Sequence, residues 1–252
     1  MITQEEREQF LREGYVVAEN VVTGTHLKQL QDTFDHGWEA EKATGIVRTR
    51  ETLKYKPFVE LLEHPPILER MRAIFGDQVQ LISYDLLRQG PHNTTFPDRD
   101  WHRDFSFPGD RPIAVQTVLM LDDTTGDGGP TYGIPRSHVG EALPAQDEIT
   151  KPLPGEVALS LHAGSAIFLN GALWHTGARN DSDHVRRGLY IYFGYWWLKP
   201  YDADKANPWQ ALEGASQQRL EILGVKQPDW DLHRYDQFLP RGKSRPQKVL
   251  VG

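Results

Sequence analysis

Hydrophobic residues in the first third of the chain recur at helical spacing. One face of a helix predicted over residues 25–43 is formed by Leu27, Leu30, Phe34 and Trp38. Before it, Thr3-Gln4-Glu5-Glu6 has the form of a capping box, which predicts a short helix ending at Gly14 and followed by a brief strand over residues 15–18. A further helix is predicted to begin at Pro65-Pro66 and to end at Gly76.

From residue 79 onward the pattern changes to short apolar runs separated by glycine and proline turns. Strands are predicted over residues 79–87, 113–121, 156–161, 166–169 and 188–197. We therefore expect a mainly β protein with flanking α-helices and a double-sheet jelly-roll core, that is, a double-stranded β-helix. The chain is expected to be one domain over residues 1–252, with a core over about residues 5–197 and a C-terminal extension over residues 198–252 that could contain a helix at 209–223.

Composition and charge exclude several classes of function. The chain has no cysteine, so a disulfide framework, a thiolate zinc site and a cysteine nucleophile are impossible. A net charge of -7 argues against a nucleic-acid or anionic-membrane partner. No apolar run approaches the ~18 residues of a membrane span, and the amino terminus lacks the layout of a secretory signal. We expect a cytoplasmic protein whose partner is a small molecule.

One histidine among the ten differs from the rest because a carboxylate lies two residues after it. His102 and Asp104 would share one face of an extended strand. If His175, far downstream, joined them, the three side chains would form the two-histidine, one-carboxylate arrangement that suits non-haem Fe(II) and leaves three coordination positions open. These residues are the candidate metal ligands.

Eleven residues after His175 comes an arginine pair, Arg186 and Arg187. A hairpin over residues 178–185, shaped by the side chains of Asn180 and Ser182, could return the chain along the neighbouring strand and bring Arg186 near the ligands. Strand alternation predicts that one arginine points inward and the other outward. An inward arginine requires an anion. Its planar guanidinium can donate two parallel hydrogen bonds to a carboxylate, such as that of a dicarboxylic co-substrate.

Together these segments resemble the phytanoyl-CoA dioxygenase family of Fe(II)- and 2-oxoglutarate-dependent oxygenases. The matching segments are Gly14-Tyr15-Val16-Val17, Trp101-His102-Arg103-Asp104, Gly128-Gly129-Pro130-Thr131, Ile134-Pro135-Arg136-Ser137-His138 and Trp174-His175-Thr176-Gly177 with Arg186. The resemblance covers about residues 5–197. The chain departs from the family's usual residues at Gly128, Thr131 and Arg136, none of them a candidate ligand.

The resemblance implies roles for individual residues. His102, Asp104 and His175 would bind Fe(II), and Arg186 would bind the distal carboxylate of 2-oxoglutarate. Candidate neighbours of the co-substrate are Tyr84, Gln116 and Thr131. The resemblance also implies that 2-oxoglutarate is oxidatively decarboxylated with O2 while a C–H bond of the substrate is oxidised. Related halogenases have a small residue in place of the carboxylate, so Asp104 favours hydroxylation, desaturation or ring formation over halogenation.

The substrate and two alternative functions stay open at the level of sequence. An aromatic wall could be provided by Tyr190, Tyr192, Tyr195, Trp196 and Trp197. An anionic ligand could meet Lys54, Lys56 and Arg88. A cupin-like isomerase or hydrolase could hold a metal on a similar sheet without needing Arg186, and a metal-free β-sandwich could bind a small ligand without catalysis.

Overall fold

A computed structural model describes residues 3–109, 111–140, 144–145 and 147–226. The helices are α1 (Gln4–Glu13), α2 (Gly24–Ala40), α3 (Thr49–Thr52), α4 (Lys56–Leu61), α5 (Pro65–Phe75), α6 (Trp209–Leu212) and α7 (Gln217–Ile222). The strands are β1 (Tyr15–Ala18), β2 (Ile46–Val47), β3 (Val79–Gln89), β4 (Ala114–Met120), β5 (Thr131–Gly133), β6 (Val157–Leu159), β7 (Ala166–Asn170), β8 (His175–Gly177) and β9 (Arg186–Tyr195). A 3₁₀ turn spans Ser137–Val139.

Two antiparallel sheets form the centre of the molecule. The larger has the strand order β1-β7-β4-β9-β3-β2, and the smaller has the order β6-β5-β8. Neighbours in the larger sheet are mostly distant in sequence; β9, for example, lies between β3 and β4. The predicted mainly β, jelly-roll fold is confirmed.

Side chains along the strands of the larger sheet point alternately to a face covered by helices and to a face that is turned toward a cavity. On β3, Tyr84 and Leu86 belong to the main hydrophobic core together with Phe58 of α4 and Phe75 of α5. Asp85, between them, lines a cavity on the other side of the sheet. Because successive strand residues point to opposite faces, the same strands build both the core and the cavity wall.

Capping hydrogen bonds and glycine conformations set several of the helix ends. Thr3 accepts a hydrogen bond from the backbone N–H of Glu6, and the Glu6 carboxylate accepts one from the N–H of Thr3, which confirms the capping box. The helix predicted over residues 25–43 ends earlier, at Ala40. The helix suggested over residues 209–223 is two short helices, separated where Gly214 takes a φ of 59°.

Three short strands were absent from the sequence-based expectation, namely β2, β5 and β8. Residues 52–58, which the sequence pattern did not assign, contribute to α3 and α4. The expected C-terminal extension is described as far as residue 226, and residues 227–252 lie outside the described part. None of the helices in the described ranges combines the length and apolar character needed to cross a lipid bilayer.

Candidate metal and co-substrate site

Two backbone hydrogen bonds join the segments that carry the candidate histidine ligands. The N–H of His102 donates to the carbonyl of His175 at 3.1 Å, and the N–H of His175 donates to the carbonyl of His102 at 3.1 Å. The two residues form an isolated antiparallel bridge. His102 therefore lies in a single bridge rather than in the extended strand expected from the His-x-Asp spacing, and Asp104 lies in a bend.

Each imidazole is oriented by a hydrogen bond at its Nδ1 atom. The Nδ1 of His102 lies 2.7 Å from the carbonyl of Asp100, and the Nδ1 of His175 lies 2.9 Å from the carbonyl of Leu173. A carbonyl can only accept, so both Nδ1 atoms carry a proton, and in the neutral form of each ring the free lone pair is on Nε2. This is the tautomer in which the ring binds a metal through Nε2.

Asp104 completes the group. One of its carboxylate oxygens lies 3.9 Å from Nε2 of His102 and the other lies 3.9 Å from Nε2 of His175. One ligand atom from each of the three residues lies within 4.8 Å of the others. The Oδ2 atom of Asp104 is buried without a hydrogen-bond partner among the described residues. A buried carboxylate oxygen without a donor fits a site that a cation completes.

Burial favours the neutral form of His175. The residue is 7% exposed, and burial lowers its pKa, while the nearby carboxylate of Asp104 opposes that effect. A neutral imidazole is the form that coordinates a metal. The donor set, two imidazole nitrogens and a carboxylate, suits Fe(II).

Arg186 is buried at the start of β9 and is 4% exposed. It donates to the carbonyl of Ala178 at 3.2 Å and to the hydroxyl of Tyr190 at 3.3 Å, and its Nε has no partner among the described residues. Within the described ranges no carboxylate forms an ion pair with it. A buried guanidinium with spare donors and no carboxylate partner is suited to receive an anion.

Arg186 lies near His175, but not on a strand that pairs with the strand of His175, as was expected. β8, which carries His175, pairs with β5 in the smaller sheet, whereas β9 pairs with β3 and β4 in the larger sheet. The two strands are therefore not neighbours, and Arg186 faces Gly177 across the space between the sheets. A Cβ atom placed on Gly177 would lie 3.9 Å from both terminal nitrogens of Arg186.

The segment before Arg186 is a loop between the two sheets and not the hairpin expected from the sequence, but it is held by side-chain hydrogen bonds of Asn180 and Ser182, as predicted. The amide of Asn180 donates to the carbonyls of Gly90 and His184, and its oxygen accepts from the backbone and hydroxyl of Ser182. The turn of residues 126–130 packs against this loop. A Cβ on Gly129 would lie 2.8 Å from the carbonyl of Arg179, and its φ is 75°, so the position requires glycine.

The alternation expected of the arginine pair is confirmed. Arg186 lines the interior, and Arg187 forms ion pairs with Asp122 at 2.7 Å and with Asp35 at 2.8 Å. The direct partner of Arg186 on the neighbouring strand is Gln89. That buried glutamine donates to the carbonyl of Ala178 and accepts from the N–H of Asn180.

A cavity of about 400 Å³ brings the metal group and Arg186 together. Its size falls within the range of small-molecule sites. Gln116 and Thr131, two of the three predicted neighbours of the co-substrate, line it. Other lining residues are Ile46, Arg48, Asp85, Leu87, Gln89, Phe96, Pro97, Asp100, Val118, Leu169, Thr176, Gly177 and Tyr190.

The third predicted neighbour, Tyr84, does not lie in the cavity, so that prediction is wrong. Tyr84 is fully buried in the core between the sheet and the helices, where its ring lies 6.2 Å from that of Phe58. The strand position that faces the cavity is its neighbour, Asp85. A bulge between Leu81 and Ser83 shifts the pairing of β3 with β9, so the side of the sheet that a residue faces could not be counted from the start of the strand.

The other side chains suggested for substrate contact are largely elsewhere. Lys54 pairs with Glu41, Lys56 lies near Glu60, and Arg88 lines a separate surface depression with Asp35 and Trp38. Of the five aromatic residues, only Tyr190 lines the cavity. Tyr192 stacks with Phe105 at 5.7 Å, and Tyr195 stacks with Trp197 at 5.6 Å.

Thr176 and Asp85 are site residues that the sequence-based reasoning missed. Thr176 is buried, and its hydroxyl accepts a hydrogen bond from the N–H of Asp100 at 2.8 Å. It thereby ties the segment before His102 to the strand of His175. Thr176 could have been identified from the sequence because it directly follows a candidate ligand. Nothing in the sequence pattern of β3 indicated that Asp85 lines the cavity.

Comparison with known proteins finds a family that matches most of the chain. The family described as phytanoyl-CoA dioxygenase (PhyH) matches residues 10–188. The chain is 26% identical over 242 residues to Dioxygenase trt7 of Aspergillus terreus, covering 92% of this chain and 79% of that protein. It is also 26% identical over 181 residues to Dioxygenase andF of Emericella variicolor, covering 66% of this chain and 60% of that protein.

Solved structures share the fold. HygX from Streptomyces hygroscopicus, with nickel and 2-oxoglutarate bound, superposes with a TM-score of 0.68 at 15% identity, covering 81% of this chain and 93% of that one. The epimerase SnoN, in complex with Fe3+, alpha ketoglutarate and nogalamycin RO, superposes with a TM-score of 0.66 at 19% identity, covering 78% and 86%. These likenesses support the jelly-roll architecture.

Proposed function

Because the chain belongs to the phytanoyl-CoA dioxygenase family of Fe(II)- and 2-oxoglutarate-dependent oxygenases, we propose that it hydroxylates or otherwise oxidises an unactivated C–H bond of a small molecule. The observation that carries the proposal is the shared cavity. His102, Asp104 and His175 lie in the same space of about 400 Å³ as the buried Arg186. A metal group beside an arginine without a carboxylate partner among the described residues is the arrangement that a keto diacid co-substrate requires.

We assign the metal to three side chains and their supporting hydrogen bonds. Nε2 of His102, Nε2 of His175 and the carboxylate of Asp104 would hold Fe(II). The carbonyls of Asp100 and Leu173 fix the ring orientations, so little rearrangement is needed when the metal binds. When bound, the iron supplies the dioxygen activation that couples decarboxylation of 2-oxoglutarate to oxidation of the substrate.

We assign the distal carboxylate of 2-oxoglutarate to Arg186. Its guanidinium is directed by the carbonyl of Ala178 and the hydroxyl of Tyr190. A bidentate contact with this guanidinium would both bind and orient the co-substrate. Gln116 and Thr131 line the same space and are assigned to the co-substrate's surroundings.

The presence of Asp104 favours oxygenation, desaturation or ring formation over halogenation, because its carboxylate occupies a metal position that a halide would need. Similar folds support a range of oxidative outcomes. SnoN is described as an epimerase and SnoK as a carbocyclase, both from nogalamycin biosynthesis. We therefore place the substrate among metabolites or natural-product intermediates.

An oxygen-18 experiment tests the function. The purified chain, loaded with Fe(II) and 2-oxoglutarate, is incubated with oxygen-18 gas, chloride and a panel of natural-product intermediates. A hydroxylase puts one oxygen-18 atom into succinate and one into the alcohol product, while carbon dioxide leaves unlabelled. A chlorinated product would overturn the hydroxylase assignment, and an absence of labelled succinate with every substrate would overturn the oxygenase assignment.

A further inference from the structure

Four aromatic rings lie in a row that begins beside the metal group. Phe105 directly follows the candidate ligand Asp104, and its ring centroid lies 6.3 Å from that of Phe107 and 5.7 Å from that of Tyr192. The ring of Tyr192 in turn lies 6.2 Å from that of Tyr201. These four residues are called the aromatic row below. Neither the metal nor the co-substrate, as assigned above, requires them.

The two ends of the aromatic row are exposed, whereas its middle is covered. Phe107 is 62% exposed and Tyr201 is 64% exposed, while Tyr192 is 1% exposed and Phe105 is half-buried. The planes of neighbouring rings differ by 30° to 40°, so each exposed ring lies partly stacked on a covered one. Exposed apolar side chains that form a continuous surface mark an interaction site.

The backbone that carries Tyr201 is anchored to the rest of the fold. The N–H of Tyr201 donates to the carbonyl of Ile82 on β3 at 3.2 Å. The next residue, Asp202, forms an ion pair at 2.9 Å with Arg50 of α3, and both of these side chains are largely buried. The exposed ring therefore projects from a fixed segment of the chain.

Phe107 is held from both sides. The N–H of Phe105, two residues before it, donates to the carbonyl of Gly171 at 2.8 Å. The N–H of Gly109, two residues after it, donates to the carbonyl of His138 at 2.9 Å. Exposed rings on anchored backbone lose little conformational freedom when a ligand stacks on them, which favours binding.

The aromatic row borders the side on which the cavity is open. His102 and Arg48 line the cavity, and their side chains are 49% and 66% exposed. Partial burial raises the pKa of the Tyr201 hydroxyl, and the carboxylates of Asp104 and Asp85, which both line the cavity, raise it further. The hydroxyl end of Tyr201 is therefore close to the opening that leads to the metal group.

We propose that Phe107 and Tyr201 bind a flat aromatic ring system of the substrate at the opening of the cavity, which makes them specificity residues and places the substrate among polycyclic aromatic compounds. The inference rests on the proposed function, because the molecule held there is the one that is oxidised. Aromatic rings gain free energy from stacking on other rings beyond the burial of apolar area. The ring system would stay at the opening, while the part to be oxidised extends into the cavity.

Equilibrium dialysis tests the proposal. The chain loaded anaerobically with Fe(II) and 2-oxoglutarate is dialysed against 2-naphthol or decahydro-2-naphthol, and against 2-hydroxyanthracene or its perhydro counterpart. The members of each pair share a carbon skeleton and a hydroxyl group and differ in flatness. Burial of apolar area alone would favour the saturated member, which has the larger apolar surface. We expect the wild-type chain to bind the aromatic member about fivefold more tightly.

Variants of the two exposed rings locate the effect. The double variant Phe107→Leu, Tyr201→Leu is expected to lose the preference for the aromatic member, because leucine keeps an apolar surface but has no ring. The double variant Phe107→Tyr, Tyr201→Phe keeps both rings and should keep the preference. The matched control is Trp209→Leu, because Trp209 is 65% exposed on α6, a helix that joins the main core through Ala211.

Several results would overturn the proposal. They are equal binding of the two members of each pair by the wild-type chain, binding of neither, a preference that survives in the double leucine variant, and a preference that is lost in Trp209→Leu. Sedimentation supplies a further one: a wild-type dimer that the double leucine variant converts to a monomer would show that the two rings are covered by a second copy of the chain.

Failure of this inference can be told apart from failure of the proposed function. Phe107 and Tyr201 are assigned neither to the metal nor to 2-oxoglutarate. The double leucine variant should therefore form the Fe(II)–2-oxoglutarate charge-transfer band like the wild-type chain. If the wild-type chain lacks the band, the proposed function fails. If the band is present and the aromatic compounds are not preferred, the assignment of the aromatic row alone is wrong.

Discussion

His102 and His175 exchange a pair of backbone hydrogen bonds, each 3.1 Å long, although they are far apart in sequence. Their ring centroids lie 4.4 Å apart. The spacing of the two imidazoles is thus set by main-chain contacts between the loop before β4 and the short strand β8. A change that loosens this bridge should weaken metal binding without touching a ligand.

Thr176→Val tests this dependence. The substitution removes the hydroxyl that accepts from the N–H of Asp100 at 2.8 Å while conserving side-chain volume. We expect the affinity for Fe(II) to fall about tenfold, as for other groups that support metal ligands, and the free energy of unfolding to fall by about 1 kcal/mol. Thr176→Ser keeps the acceptor and should restore metal affinity. Equal metal affinity in the valine and serine variants would contradict this role.

Arg186→Lys tests the co-substrate assignment. A lysine cannot form the two parallel hydrogen bonds of a guanidinium with a carboxylate. We expect the KM for 2-oxoglutarate to rise about 10- to 100-fold, which corresponds to the loss of a charged hydrogen bond. The matched control is Arg187→Lys, since the neighbouring arginine points to Asp122 and Asp35. If both variants raise the KM equally, the effect is general and the assignment fails.

Gln89→Leu tests the support beneath Arg186. This side chain, 6% exposed, holds both the carbonyl of Ala178 and the N–H of Asn180. Leucine leaves the buried N–H of Asn180 without its acceptor and removes one of the two donors to the carbonyl of Ala178, so we expect a loss of about 2 kcal/mol in urea unfolding. The carbonyl of Ala178 also accepts from Arg186, so the KM for 2-oxoglutarate should rise as well. Arg88→Leu, at the exposed neighbouring position, should change stability by less than about 0.5 kcal/mol.

Glu156 should make stability depend on pH. Burial alone would raise the pKa of its carboxyl, but hydrogen bonds from Arg99 and from the N–H of Leu153 hold the pKa below its ordinary value. The folded chain therefore binds a proton at Glu156 less readily than the unfolded chain does. The ionised carboxylate stabilises the fold at pH values above the unfolded pKa, and this stabilisation is lost as the pH falls through the folded pKa. Glu156→Gln should cost about 1 kcal/mol at pH 7, with a smaller difference below about pH 4.

Denaturation curves of the wild-type and Glu156→Gln chains at the two pH values provide the comparison. A difference that is equally large in acid would contradict the ionic origin of the contribution. Arg99 also lies over the ring of Tyr132 at 3.6 Å, a contact that the glutamine variant keeps, so the comparison isolates the charge of the carboxylate.

The parts of the fold that followed from sequence were those with long, regular patterns. Helices α1, α2 and α5 have clear apolar faces or caps, and β4, β7 and β9 are apolar runs bounded by turns. β5 and β8 contain three residues each, too few for a period of two to show. Their pairing depends on contacts with distant segments, which a local pattern does not contain.

Within the site, the candidate ligands followed from chemistry and from the family resemblance, whereas the inward residues of β3 did not. Tyr84 was expected in the cavity and Asp85 was not considered, because the bulge after Leu81 shifts the pairing of the strand. A shift of one residue exchanges the two faces of a sheet. The same shift placed a carboxylate, rather than a phenol, on the cavity wall.

The most direct test of the central claim is an anaerobic titration of the purified chain with Fe(II) and 2-oxoglutarate, monitored for the metal-to-ligand charge-transfer band. We expect the wild-type chain to develop the band with one equivalent of each. His175→Ala should not develop it, while His162→Ala, an exposed histidine beside Asp123, should match the wild-type chain. A wild-type chain that binds no iron, or that shows no band when both components are present, would contradict the account.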